Sequence, residues 1–124
     1  MSTSKLYHYS AKVTRVVDGD TIDIVLDLGF DVSLKARVRF FGIDAPESRT
    51  RDADEKILGL ESKAYVQNWI DGHDSKVIIE TSLDERGKFG RILGRILCPD
   101  DECECLNDDM VKYGYASEYF GGSR

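Results

Sequence analysis

Apolar and polar residues alternate through much of the first forty positions. From Thr21 to Leu28, Ile22, Ile24, Leu26 and Leu28 fall on one face and Thr21, Asp23, Val25 and Asp27 on the other. That period of two belongs to a half-buried strand. A strand over Ser10 to Val17 precedes it, and Asp18-Gly19 between them is a strong hairpin-turn signal. Gly29-Phe30-Asp31 breaks the second run. A third strand, Ser33 to Phe41, turns Leu34, Ala36, Val38 and Phe40 inward and lines Lys35, Arg37 and Arg39 along the opposite face. Ser48 to Lys56 reads as a mobile polar loop. The period then changes to that of a helix over Leu60 to Ile70, with Tyr65, Val66, Trp69 and Ile70 on one stripe and Gly72 as the stop. Strands over Val77 to Glu80 and Arg91 to Leu97 follow. A short helix over Leu106 to Tyr113 has Asp108 and Asp109 in its first turn, Lys112 in its last and Gly114 after it.

Three strands joined by short turns, a helix, two strands and a helix define a mainly β (α+β) chain. Five short strands with a helix after the third fit a small Greek-key barrel of the oligonucleotide/oligosaccharide-binding (OB) type. An open α+β sheet is the competing layout. At 124 residues the expectation is one domain spanning 1–124, with a core large enough to stand alone.

Composition changes the picture in two places. The net charge of −6 argues at first against a polyanionic partner. However, Asp100, Asp101, Glu102, Glu104, Asp108 and Asp109 account for all of it, and the remaining chain balances 17 acids with its 17 bases. A local basic face is therefore compatible with this chain. Cys98, Cys103 and Cys105 crowd the same acidic segment without the paired spacing of a zinc site, which favours reduced thiols or one loop disulfide. No apolar run has the length of a membrane span, and the N-terminal residues lack the apolar core of a secretion signal. An intracellular monomer is the expectation, with a processed secreted form as the alternative.

The candidate chemistry gathers on Arg39 to Glu47. Pro46 fixes its own φ and keeps Ala45 extended, so Asp44 and Glu47 leave the strand end in a defined geometry. If strands two and three pair antiparallel, Asp20 and Asp44 become neighbours on one rim. Two rim carboxylates suit a hard cation such as Ca²⁺, which fills its shell with carbonyls and waters. Glu47 is placed to activate a water near that cation. Arg39 and Arg91 are of the type that grips phosphate oxygens and neutralises charge on a five-coordinate phosphorus.

Val17-Asp18-Gly19-Asp20-Thr21-Ile22, the run Arg39-x4-Asp44-Ala45-Pro46-Glu47, and Lys88-Phe89-Gly90-Arg91 together resemble the staphylococcal nuclease (thermonuclease) family over roughly Ala11 to Phe120. The resemblance implies an OB-fold endonuclease that hydrolyses single-stranded or frayed DNA and RNA with one Ca²⁺ ion. It assigns Asp20, Asp44 and the main-chain carbonyl of Ala45 to the metal. Arg39 and Arg91 go to the scissile phosphate and Glu47 to the role of general base. In-line attack then leaves the phosphate on the 3′ side. Lys88, Phe89, Tyr115 and Tyr119 are the implied substrate contacts; packing of the tail on the barrel is the other reading of the two tyrosines. Gly87 replaces an acid usual before the Lys-aromatic-Gly-Arg run, and Phe89 replaces a Tyr, keeping the ring and losing the hydroxyl. A catalytically silent, nucleic-acid-binding barrel is the rival; such modules lose the acids and arginines that this chain keeps.

Overall fold

The computed structural model describes residues 8–48, 50–82, 92–99 and 105–118. Strands β1 (His8–Asp18), β2 (Thr21–Asp27) and β3 (Ser33–Phe40) form the expected meander. They are followed by β4 (Ile43–Asp44), α1 (Ala53–Asp71), β5 (Lys76–Ser82), β6 (Ile92–Leu97), α2 (Leu106–Lys112) and β7 (Ser117–Glu118). Five strands close into a barrel in the order β1-β2-β3-β6-β5, with β3 and β6 parallel and the other neighbours antiparallel. Closure gives each of these five strands a partner on both sides over at least part of its length. This is the OB-type barrel rather than the open sheet.

The alternation of β2 sets the interior. Ile22, Ile24 and Leu26 are almost wholly buried, and Val38, Phe40, Val77, Ile79 and Ile96 meet them from the other strands. Gly94 lies where β6 is squeezed between β3 and β5: a Cβ there would sit 2.9 Å from Ile79 Cγ2. Val66 and Ile70 of α1 and Leu106 and Met110 of α2 cap the core. Asn107, buried at 1% exposure, donates through Nδ2 to the carbonyls of Phe41 (2.8 Å) and Gly94 (3.2 Å) and accepts the Ile96 amide at Oδ1 (3.1 Å). A fully satisfied buried amide of this kind fixes α2 and β6 to the turn that follows β3.

The structure revises several sequence expectations. Helix α1 begins at Ala53, so residues 53–56 of the supposed loop over Ser48 to Lys56 are helical. Asp52 caps the helix by accepting from the amides of Asp54 (3.0 Å) and Glu55 (3.2 Å), and the acids of the first turn suit the helix dipole. Gly72 ends α1 with a right-handed φ of −65°, and it is Asp74 and Ser75 that take positive φ. Leu28 and Leu34, expected inward, are 40% and 47% exposed. The reason is that β6 pairs with β3 only from Val38 to Phe40, leaving the β2–β3 hairpin to project past the barrel wall. In the C-terminal segment, Ser117–Glu118 pairs with Ile43–Asp44 as a second, two-stranded sheet that the sequence pattern does not announce.

Candidate active site

Strand register brings the central residues together. Thr21 lies opposite Arg39 in the β2–β3 ladder, and the Phe40 amide donates to the Asp20 carbonyl at 2.8 Å. Asp20 is thereby fixed beside the end of β3. Gly42, at φ +81°, then turns the chain back so that β4 carries Asp44 past the same point. Arg39 joins the two carboxylates: Nη1 lies 2.9 Å from Asp20 Oδ2 and Nη2 lies 3.3 Å from Asp44 Oδ1, while Nη1 also donates to the Ile43 carbonyl at 3.2 Å. The Asp20 carboxylate is nearly buried and held on both oxygens, by the Thr21 hydroxyl at 3.0 Å and the Ala45 amide at 3.0 Å. These contacts commit Arg39 Nη1 fully and leave its Nε–H and one Nη2–H without a partner among the described residues.

The segment after β4 is pinned by two elements. Asp18, at the end of β1, accepts from the amide and hydroxyl of Ser48. Glu55, in the first turn of α1, accepts from the Glu47 amide at 3.3 Å. Glu47 is exposed, and its carboxylate makes no hydrogen bond or ion pair among the described residues. It follows Asp44 by three residues, and its side chain is open to water.

Helix α1 approaches this segment at distances only small residues permit. A Cβ on Gly59 would sit 2.2 Å from the Glu47 carbonyl oxygen, and one on Gly19 would sit 2.7 Å from Ser62 Cβ. Gly19 is not at positive φ, so the Asp18-Gly19 turn needs glycine for close approach rather than for backbone shape. Ser62 is buried and donates its hydroxyl to the Tyr115 carbonyl at 2.6 Å, joining helix, hairpin and C-terminal segment. Sequence reasoning missed Gly59, Ser62, Ser48 and Glu55. One signal was available: Asp52-x-x-Glu55 is a capping pattern, and it marks where α1 starts.

Of the residues expected at the site, the structure gathers Asp20, Arg39, Asp44 and Ala45, while Glu47 is exposed three residues further along the chain and makes no side-chain hydrogen bond or ion pair with them. Tyr115 packs edge-on against Tyr65, with ring centroids 4.5 Å apart, and also lines a cavity of about 570 Å³ beside Asp44, Ala45 and Pro46. Lys88, Phe89, Arg91 and Tyr119 lie outside the described residues, as does Gly87. The donor set at the rim consists of carboxylate and carbonyl oxygens only, which fits a hard cation of the Ca²⁺ class and not a thiolate- or imidazole-loving metal. Among the described residues no group of three or more His, Cys, Asp or Glu is arranged to hold a metal ion by itself, so carbonyl and water oxygens would complete any such shell.

The model of the family described as staphylococcal nuclease homologue matches residues 37–124. The chain is 34% identical over 117 residues to Endonuclease YhcR of Bacillus subtilis, covering 90% of this chain and 9% of that protein. It is 32% identical over 108 residues to an uncharacterized endonuclease of Escherichia coli, covering 87% and 60%. It is 28% identical over 109 residues to the thermonuclease of Staphylococcus hyicus, covering 88% and 59%. The chain thus spans 60% or less of the length of these relatives. The family match begins inside β3, yet β1 and β2 complete the same barrel, and an alignment covering 90% of the chain includes the hairpin that carries Asp20. On the family match, the closed barrel and these relatives together, the chain belongs to the staphylococcal nuclease homologue family.

Proposed function

We propose that this protein is a Ca²⁺-dependent endonuclease that hydrolyses phosphodiester bonds of DNA and RNA with little regard for base or sugar, preferring single-stranded or frayed substrate. The observation that carries the reading is Arg39 held between Asp20 and Asp44 on the barrel rim, with Glu47 exposed three residues beyond Asp44. The endonuclease and thermonuclease names of the similar proteins support it.

Asp20, Asp44 and the Ala45 carbonyl would hold the ion, which when bound supplies Lewis acidity and a template for in-line displacement. The two donors that Arg39 keeps in reserve, on Nε and Nη2, bind non-bridging oxygens of the scissile phosphate, and the ion pairs at Nη1 and Nη2 keep the guanidinium from turning away. Arg91 is assigned the second grip on the phosphate from the Lys88-Phe89-Gly90-Arg91 run directly ahead of β6. Glu47 accepts the proton of a water as its oxygen attacks phosphorus opposite the leaving 5′ oxygen, and the product phosphate stays on the 3′ side. Lys88, Phe89, Tyr115 and Tyr119 are assigned the flanking nucleotide.

The test is incubation of the protein with single-stranded DNA and with RNA in Ca²⁺, repeated in EDTA and with Asp20→Asn. Chelator-sensitive internal cleavage that leaves 3′-phosphate ends, and that Asp20→Asn lacks, is the expected result. Oligonucleotide binding without any such cleavage sinks the enzyme reading and leaves the silent binding barrel in its place.

A further inference from the structure

Beyond the rim, the outer barrel surface carries an ordered pattern of charge. On β3, Lys35, Arg37 and Arg39 share the outward face at successive two-residue steps, each step about 7 Å. The ladders extend this pattern sideways. Lys35 lies opposite Val25, Val25 opposite Lys12, and Lys12 opposite Lys76, so one row crosses β3, β2, β1 and β5 with three lysines in it. In the next row Asp23 stands between Arg15 and Arg37, which share its single negative charge. Among the described residues none of the three lysines makes an ion pair. Lys12 directly opposite Lys76 is a like-charge cross-strand pair, which costs stability. In a chain of net charge −6, this face carries Lys12, Arg15, Lys35, Arg37, Arg39 and Lys76, six of the chain's 17 basic residues.

Lys12 and Lys76 also rim a largely apolar groove of about 580 Å³, bounded by Val25, Ile78 and Val32. Beside it the β2–β3 turn presents Phe30, fully exposed at 101% and held at φ +55°. Two acids also line the groove: Asp27, which is engaged in that turn by accepting the Gly29 amide at 2.9 Å, and Asp31, next to Phe30 in the chain. Cations spaced along strands next to an unpartnered aromatic ring make the surface on which a single strand lays its phosphates and stacks a base.

We propose that the outer face of β5-β1-β2-β3 is a second nucleic-acid contact. It leads the single strand from Arg39 along Arg37 and Lys35, then across Lys12 and Lys76, to stack a base on Phe30. This rests on the nuclease reading for its starting point. The occupant is a polyanionic strand rather than an anionic membrane because the cations begin at the phosphate-gripping arginine and share its strand and face. The path runs about 13 Å down β3 and about 14 Å across the row, which suits the ~4–16 nucleotides such barrels occupy.

The test measures binding of a fluorescent oligothymidylate of about 12 nucleotides in EDTA, across a salt series, for wild type, the triple variant K12Q/K35Q/K76Q, and F30S. The triple variant is expected to bind about tenfold more weakly at low salt, with the slope of log K against log salt reduced by about 2. Its melting temperature stays equal or rises, because the Lys12–Lys76 repulsion is gone. Phe30→Ser weakens binding about fivefold or more with the slope unchanged. Both variants cut a substrate of about three nucleotides in Ca²⁺ at the wild-type rate, because none of these residues belongs to the rim cluster. Wild-type affinity and slope in the triple variant, with cutting intact, overturns the proposal and leaves the nuclease reading standing. Binding that follows the variants as expected in a protein that never cuts keeps the contact face and overturns the nuclease reading. Variants that lose only phosphatidylserine vesicles and keep the oligonucleotide assign the face to a membrane and overturn the proposal.

Discussion

The two ends of β2 are built to opposite rules. At one end, the Gly19-Asp20 turn is packed so tightly against α1 that an added Cβ would sit 2.7 Å from Ser62, and Asp20 is held through both carboxylate oxygens and its carbonyl. At the other end, nothing lies within 4 Å of a Cβ on Gly29, and Phe30 stands fully exposed. The same strand anchors a preorganised cluster and an open contact surface. Where chemistry needs charges fixed to fractions of an ångström, packing leaves no slack. Where a flexible polymer is to be met, backbone shape is all that is specified.

Substitutions at the two ends should differ accordingly. The largest effect is expected from Arg39→Ala, which removes the phosphate donors and leaves Asp20 and Asp44 facing one another. Cleavage should fall about 10²–10³-fold, and thermal unfolding should show a loss of about 1–3 kcal/mol. A variant that melts like wild type would mean that Arg39 does not hold the two acids. Next comes Gly59→Ala. The new methyl collides with the backbone at Glu47, and overpacking of about 2–3 kcal/mol outweighs the roughly 1 kcal/mol gained in helix propensity, so denaturant unfolding should show net destabilisation together with slowed cleavage. Gly29→Ala should cost only the ~1 kcal/mol of a side chain at φ +82°, with cleavage of short substrates unchanged. A collapse of activity there would erase the contrast between the two ends.

The smallest effect is expected at the Asp23–Arg37 pair on the barrel wall between them. Arg37 donates from Nε and Nη2 to Asp23 at 2.7 and 3.2 Å, and that hydrogen bonding holds the carboxyl below its ordinary value of 3.8. A lowered carboxylate value contributes stability above the unfolded value and loses it as pH falls through the lowered one. Arg37→Gln should therefore cost a little stability near neutral pH and nothing once the acid is protonated in both states. A deficit that persists unchanged below pH about 2 would assign the effect to packing instead.

Much of this contrast was legible in the amino-acid order. The period of two in β2 and the Asp18-Gly19 turn fix the meander, and once β2 and β3 pair antiparallel, Asp20, Arg39 and Asp44 must share a rim. The start of α1 was also written there, in Asp52-x-x-Glu55, but the charge density of 48–56 reads more readily as loop. Other features depend on contacts distant in sequence. Nothing local distinguishes a glycine needed for approach, such as Gly59, from one merely tolerated in a helix. The exposure of Leu28 and Leu34 follows from the short β3–β6 pairing, a parallel contact across more than fifty residues. Periodicity reports that a face is apolar, and only the closed barrel decides whether anything covers it.

Removing the Glu47 carboxylate tests most directly whether it draws the proton from the attacking water. Single-turnover cleavage of single-stranded DNA in Ca²⁺ is compared for wild type and Glu47→Gln, with melting temperatures alongside. The expected result is a rate about 10²–10⁴-fold lower in the variant, at an unchanged melting temperature, because the exposed carboxylate supports no other group among the described residues. A variant that cuts at the wild-type rate would contradict the account.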